Sequence, residues 1–79
     1  MEKLTIVGLR LDHRQDIAPE VQEILTRHGD GILCRMGLPD PGKQDGIITL
    51  YMKTSSQEFE EFSEELKAIQ GVKVSYMTI

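Results

Sequence analysis

ILCRMGLPDPGKQDGIITLYMK, residues 32–53, is the stretch that decides the fold, because it contains two apolar runs joined by residues that favour turns. Residues 32–38 and 47–53 both alternate in the way that is typical of strands. Residues 39–46 between them include two prolines, two glycines and two aspartates, and their number suits a hairpin loop. The stretch therefore predicts two neighbouring antiparallel strands.

The chain before this hairpin predicts a strand followed by a helix. Residues 4–11 carry aliphatic side chains on both faces, which indicates a strand at the centre of a sheet. An apolar stripe at helical spacing follows, and Pro19 places the start of that helix near Asp16, because proline is tolerated only in the first turn. Gly29 is expected to end the helix.

The chain after the hairpin predicts a second helix and a last strand. Ser55 and Glu58 form a capping box, which marks the start of a helix that is predicted to reach Gly71. The residues from Val72 alternate again and predict a strand that runs to the carboxyl terminus. The predicted order is therefore strand-helix-strand-strand-helix-strand.

This order predicts an α+β, ferredoxin-like fold in a single domain, residues 1–79. The sheet is expected to be four-stranded and antiparallel in the order 4-1-3-2, with both helices on one face. The other face would expose apolar residues of one parity, and an apolar patch of that kind usually marks an interface. We expect self-association, as a homodimer or homotetramer. The predicted interface residues are Leu33, Ile47, Tyr51 and Met77.

Composition excludes several classes of partner. The net charge is −4, with 13 acidic residues against nine Lys and Arg, so direct binding to nucleic acid is not expected. The longest apolar run is far below the roughly 20 residues that span a membrane, and a strand follows the amino terminus directly, so the expected compartment is the cytoplasm. One cysteine cannot form an internal disulfide or hold an iron–sulfur cluster alone, and no cofactor is expected.

No pattern of catalytic residues stands out, and we expect no enzymatic activity. An acylphosphatase-like hydrolase would need a glycine-rich phosphate loop and an Asn, and the chain has no Asn. A copper chaperone would need paired cysteines. An RNA-binding sheet would need stacking aromatics on its central strands, where only Tyr51 is present.

Two sets of polar residues remain as candidate sites. His13, His28 and Cys34 are possible ligands for nickel or copper across a subunit interface. In the alternative interpretation they are a loop histidine, a helix-terminal histidine and a buried thiol. Asp12, His13 and Arg14 lie beside the free amides of a helix amino terminus, which can hold an anion or an amino-acid carboxylate, or are simply capping and solvated residues.

Arg35 is predicted to project from the face of the sheet that carries no helices. There it could be buried in an oligomer as an ion-pair or ligand partner, or it could lie flat on the sheet.

Several short runs together resemble one protein family, the iron-only hydrogenase system regulators, which are small ACT-like proteins. The most specific run is RMGLP at residues 35–39, and the resemblance covers essentially the whole chain. The other matching runs are residues 6–8, 12–14, 21–25, 29–30, 46–50 and 71–74.

The resemblance implies a homo-oligomeric regulatory protein with an ACT-like ferredoxin fold. Domains of this type generally bind small effectors, often amino acids, at subunit interfaces near the loop after strand one. The implied effector residues are Asp12, His13, Arg14, Arg35, Met36 and Gly37. The pattern of the family has Asn at the position of His13, and this difference keeps a nickel-type metal sensor open as an alternative, beside an assembly module without a ligand.

Overall fold

The elements of the computed structural model follow the predicted order. It describes residues 2–12, 14–39 and 45–79, with the backbone alone at 14, 15 and 39. The elements are β1 (Lys3–Leu11), α1 (Arg14–Arg27), a short 3-10 helix (Gly29–Gly31), β2 (Ile32–Pro39), β3 (Gly46–Thr54), α2 (Ser56–Lys67) and β4 (Val72–Thr78).

The four strands form one antiparallel sheet in the order β2-β3-β1-β4. This is the predicted order, read from the opposite edge. The two strands with apolar residues on both faces, β1 and β3, occupy the centre, and each has a neighbouring strand on both sides. The α+β, ferredoxin-like prediction is confirmed.

The core lies between the two helices and one face of the sheet. Burying each of its large side chains contributes about 1.5–3 kcal/mol. Its most deeply buried members, at most 2% exposed, are Val7, Leu9, Leu11, Val21, Leu25, Leu50, Met52, Phe62 and Leu66.

The helix boundaries differ from the predicted ones by a few residues. α1 begins at Arg14, two residues before the predicted start, so Pro19 lies in its second turn and has no amide to donate there. The predicted capping box of α2 is confirmed, because the Glu58 amide donates to Ser55 Oγ at 3.2 Å. α2 ends at Lys67, and Gly71 lies in the following turn with φ of +96°, a value that favours glycine.

A bulge in β2 exchanges the two faces of that strand. Ile32 pairs with Met52, yet Cys34 pairs with Tyr51, so Leu33 is an extra residue. Ile32 therefore faces the helices, whereas Cys34 and every second residue after it lie on the face without helices, here called the open face. The prediction that Arg35 projects from the open face is wrong, because an extra residue shifts the parity of everything that follows it.

Candidate functional site

The predicted effector residues whose side chains the structure describes do not form one cluster within a protomer. Arg35 lies on the helix-covered side, where its guanidinium donates a hydrogen bond to Gln22 Oε1 of α1. Gly37 lies on that same side, opposite Ile48, while Met36 lies on the open face. Neighbouring residues of the RMGLP run therefore lie on opposite faces of the sheet.

The other half of that predicted site lies beyond the end of β1. Asp12 is exposed, and its amide donates to the carbonyl oxygen of Gly71 at 2.8 Å. Arg35 is level with Val7 in the sheet, and this position is about 13 Å along the strand from Leu11. His13 and the side chain of Arg14 lie outside the described residues.

The predicted metal ligands that the structure describes lie on different sides of the sheet. The ring of His28 packs edge-on against the core residue Phe62, with 5.1 Å between ring centroids. Cys34 is exposed on the open face, so its interpretation as a buried thiol is wrong. Within residues 2–12, 14–39 and 45–79, no three His, Cys, Asp or Glu side chains are grouped as a metal site.

Instead, His28 takes part in a polar junction between the two helices. His28 Nε2 lies 2.7 Å from Glu65 Oε1, and Arg27 Nη1 lies 2.7 Å from Glu65 Oε2. The hydrogen bond with His28, followed by that with Arg27, lowers the pKa of the Glu65 carboxyl. The junction therefore ties the end of α1 to the last turn of α2.

The open face carries an exposed apolar surface that crosses all four strands. Tyr51 and Met77 flank Ile6, which pairs with both of them, and Tyr51 is 42% and Met77 58% exposed. Met36 and Leu38 extend the surface to the edge at β2, where they are 57% and 59% exposed. An apolar surface of this kind is typical of a contact with another molecule.

Part of this surface was predictable from the alternation of residues. Ile47 and Tyr51 in β3 and Met77 in β4 lie on the open face as predicted. Leu33 is 63% exposed, but it occupies the bulge. Regular alternation from Leu33 would place Met36 and Leu38 on the helix-covered face, which the bulge prevents. The apolar run 32–34 is the signal in the sequence, and it fits a bulge as well as a regular strand.

A second candidate site is a cleft of about 340 Å³ on the helix-covered side, here called the α2 cleft. It lies between α2 and the ends of β1, β3 and β4 that contain Thr5, Thr54 and Thr78. Sequence reasoning missed it, because its walls come from segments far apart in the chain. The remaining lining residues are Lys3, Ser55, Ser56, Phe59, Glu60, Ser63, Glu64, Lys67 and Tyr76.

None of the helices in residues 2–12, 14–39 and 45–79 is long and apolar enough to cross a bilayer.

Comparison with solved structures supports the fold. The uncharacterized protein TM1266 from Thermotoga maritima superposes with a TM-score of 0.94 at 26% identity, over 100% of this chain and 99% of that one. An unknown protein from Galdieria sulphuraria has a TM-score of 0.70 at 11% identity, over 100% of this chain and 46% of the other. A formyltetrahydrofolate deformylase from Pseudomonas putida KT2440 has a TM-score of 0.65 at 11% identity, over 94% of this chain and 28% of the other.

The sequence itself matches one protein family over nearly its whole length. Residues 3–76 match the TM1266-like family, whose description reads "Iron-only hydrogenase system regulator, putative". No curated protein is significantly similar in sequence.

Proposed function

This chain belongs to the TM1266-like family of iron-only hydrogenase system regulators, and from this premise we propose that it is a non-enzymatic, cytoplasmic regulatory module that works as a homo-oligomer. Two copies pair through their open faces, and a small effector changes the stability of the pair. Such an effector acts only if it binds one assembly state more tightly than the other.

The single observation that carries this proposal is the apolar surface of the open face. Four strands about 4.8 Å apart, each of about eight residues, present a face of about 500 Å². Two such faces together would bury about 1,000 Å², the size at which specific interfaces begin. The open face alone is therefore large enough to form an interface with a second copy.

The distribution of residues on the open face also suits a two-fold pair. Its centre is apolar, with Ile6 between Tyr51 and Met77. Charged residues lie toward its two ends, because Lys53 pairs with Leu4 at one end and Lys73 pairs with Arg10 at the other. An apolar centre with a polar rim is the usual arrangement of a protein interface. A two-fold axis would place the same patch on both copies.

Sedimentation equilibrium of the purified protein over a wide range of concentration tests this proposal. We expect a mass twice that of the protomer, or a larger multiple, at concentrations well above the dissociation constant. A protomer mass at every concentration would refute the proposed homo-oligomer.

A further inference from the structure

Gly8 lies near the middle of the central strand β1, where a glycine weakens a strand and usually marks a bulge, a positive φ or the close approach of another group. Among the described residues the glycine with a positive φ is Gly71, and the pairing of β1 with both neighbours is regular around Gly8. A Cβ added at Gly8 would come no closer than 4.0 Å to its nearest neighbour, the Ser75 carbonyl oxygen. The protomer itself therefore has room for a side chain here, and the reason for a glycine lies outside it.

Gly8 lies at the lowest point of a groove that crosses the open face. It pairs with Thr49 of β3 and Ser75 of β4, so three small residues form one row, here called the Gly8 groove. The next row on this face lies two residues along each strand, about 7 Å away, and carries larger side chains. This row, here called the ridge, consists of Tyr51, Ile6 and Met77. The ridge and the Gly8 groove therefore run side by side across three strands.

A two-fold axis that runs across the strands, between the Gly8 groove and the ridge, would make two open faces complementary. Such an axis lies between the two stacked sheets and sets β1 of one copy against β1 of the other in the opposite direction. Ile6 of each copy then lies over Gly8 of the other, where the missing side chain leaves room. The ridge residues of β3 and β4 lie over Thr49 and Ser75 of the other copy in the same way.

A two-fold axis parallel to the strands would give a poorer fit. It would set the ridge of one copy against the ridge of the other and the two Gly8 grooves against each other. The large side chains of the ridges would then hold the sheets apart, and the space above both glycines would stay empty. Specific interfaces are packed as densely as protein interiors, so such a gap is unfavourable. Shape therefore selects the axis that runs across the strands.

We infer that the Gly8 groove receives the ridge of a second copy, with Ile6 of each copy inserted over Gly8 of the other. This inference rests on the proposed function, because it specifies how two open faces pair. It gives the glycine a role in recognition between copies. The pair is closed, since each copy uses the same surface, and both helix layers lie on its outside.

Gly8→Ile tests the inference, because its effects on folding and on pairing have opposite signs. Within the protomer the new side chain has room and replaces a glycine in a strand, so the urea midpoint measured below the dissociation constant should rise. In the pair the new side chain meets Ile6 of the other copy twice, so the dissociation constant from sedimentation should rise at least about 100-fold. Gly37→Ile is the matched control, a strand glycine on the helix-covered side with open space around it, and it should associate like wild type.

The double variant Ile6→Gly with Gly8→Ile tests the register of the pair. It exchanges the large and the small residue of β1, so each isoleucine again lies over a glycine of the other copy. Association should recover at least about 10-fold relative to Gly8→Ile alone, because the two positions are in contact across the interface. Loss of association in Gly8→Ile together with this recovery supports the inference.

Failure of the inference can be separated from failure of the proposed function. If wild type associates and Gly8→Ile associates equally well, the inference is overturned and the homo-oligomer stands. A double variant that associates no better than Gly8→Ile also overturns the insertion of Ile6 over Gly8. A wild-type protein that stays a protomer at every concentration overturns both. If circular dichroism shows Gly8→Ile to be unfolded, Gly8→Ala replaces it; its methyl group should weaken association several-fold, and unchanged association would overturn the inference.

Discussion

Replacement of Tyr51 by Asp is expected to dissociate the proposed homo-oligomer while the protomer stays folded. A tyrosine side chain presents about 200 Å², and Tyr51 keeps 42% of its surface exposed, so about 85 Å² remains for a partner to cover. At about 25 cal/mol per Å² this area is worth about 2 kcal/mol per copy. A two-fold pair contains the residue twice, so Tyr51→Asp should weaken the pair by about 4 kcal/mol, or about 1,000-fold.

Sedimentation equilibrium of wild type and Tyr51→Asp measures this loss directly, and far-UV circular dichroism checks that the variant is folded. Gln57→Asp is the matched control, because it adds the same charge at an exposed position in the first turn of α2, where an acidic residue is tolerated. The control should sediment like wild type. If the folded Tyr51→Asp variant associates as strongly as wild type, the open face is not the interface between copies.

Three further predictions concern the stability of the protomer. Glu65→Gln should lower the free energy of unfolding by about 0.5–1 kcal/mol at neutral pH. Because the folded-state pKa of Glu65 is lowered, its contribution to stability is present above the ordinary carboxyl pKa and is lost as the pH falls through the lowered value. The difference in free energy of unfolding between wild type and Glu65→Gln, measured by urea denaturation, should therefore disappear in acid. An equal difference at pH 7 and in strong acid would contradict this reasoning. Leu50→Ala, at a fully buried site, should lower the free energy of unfolding by about 2–5 kcal/mol, and Leu33→Ala, in the exposed bulge, by less than about 0.5 kcal/mol. Equal losses in chemical denaturation would contradict the assignment of Leu50 to the core. Gly71→Ala should lower stability by about 1–2 kcal/mol because of its positive φ, whereas Gly29→Ala, with open space around it, should be near neutral, and equal effects would argue against backbone strain.

Much of the fold could be predicted from the sequence because its signals are local. The capping box at Ser55 and Glu58 involves one turn of chain, in which the Glu58 amide donates to Ser55 Oγ and the Ser55 hydroxyl donates to Glu58 Oε1. The apolar character of residues 4–11 and 47–53 on both faces places these strands at the centre of the sheet. Element order and short connections then leave few arrangements of the remaining strands.

The candidate sites were less predictable because they depend on pairing between distant segments. The bulge at Leu33 is a property of how β2 registers against β3, and alternation within β2 alone does not reveal it. It moves Arg35 to the helix side and brings Met36 to the open face. The walls of the α2 cleft, Thr54 and Ser63 among them, likewise come together only once α2 is packed on the sheet.

The central claim, that a second copy covers the open face, is tested most directly by isotope-filtered NMR on a mixture of two differently labelled samples of the wild-type protein. Met36 and Met77 are exposed on this face, so their methyl groups report on whatever covers it. We expect nuclear Overhauser contacts from these methyls to Tyr51 or Leu38 of the other copy. An associated protein whose contacts between copies arise only from α1, α2 or the sheet edges would contradict the account.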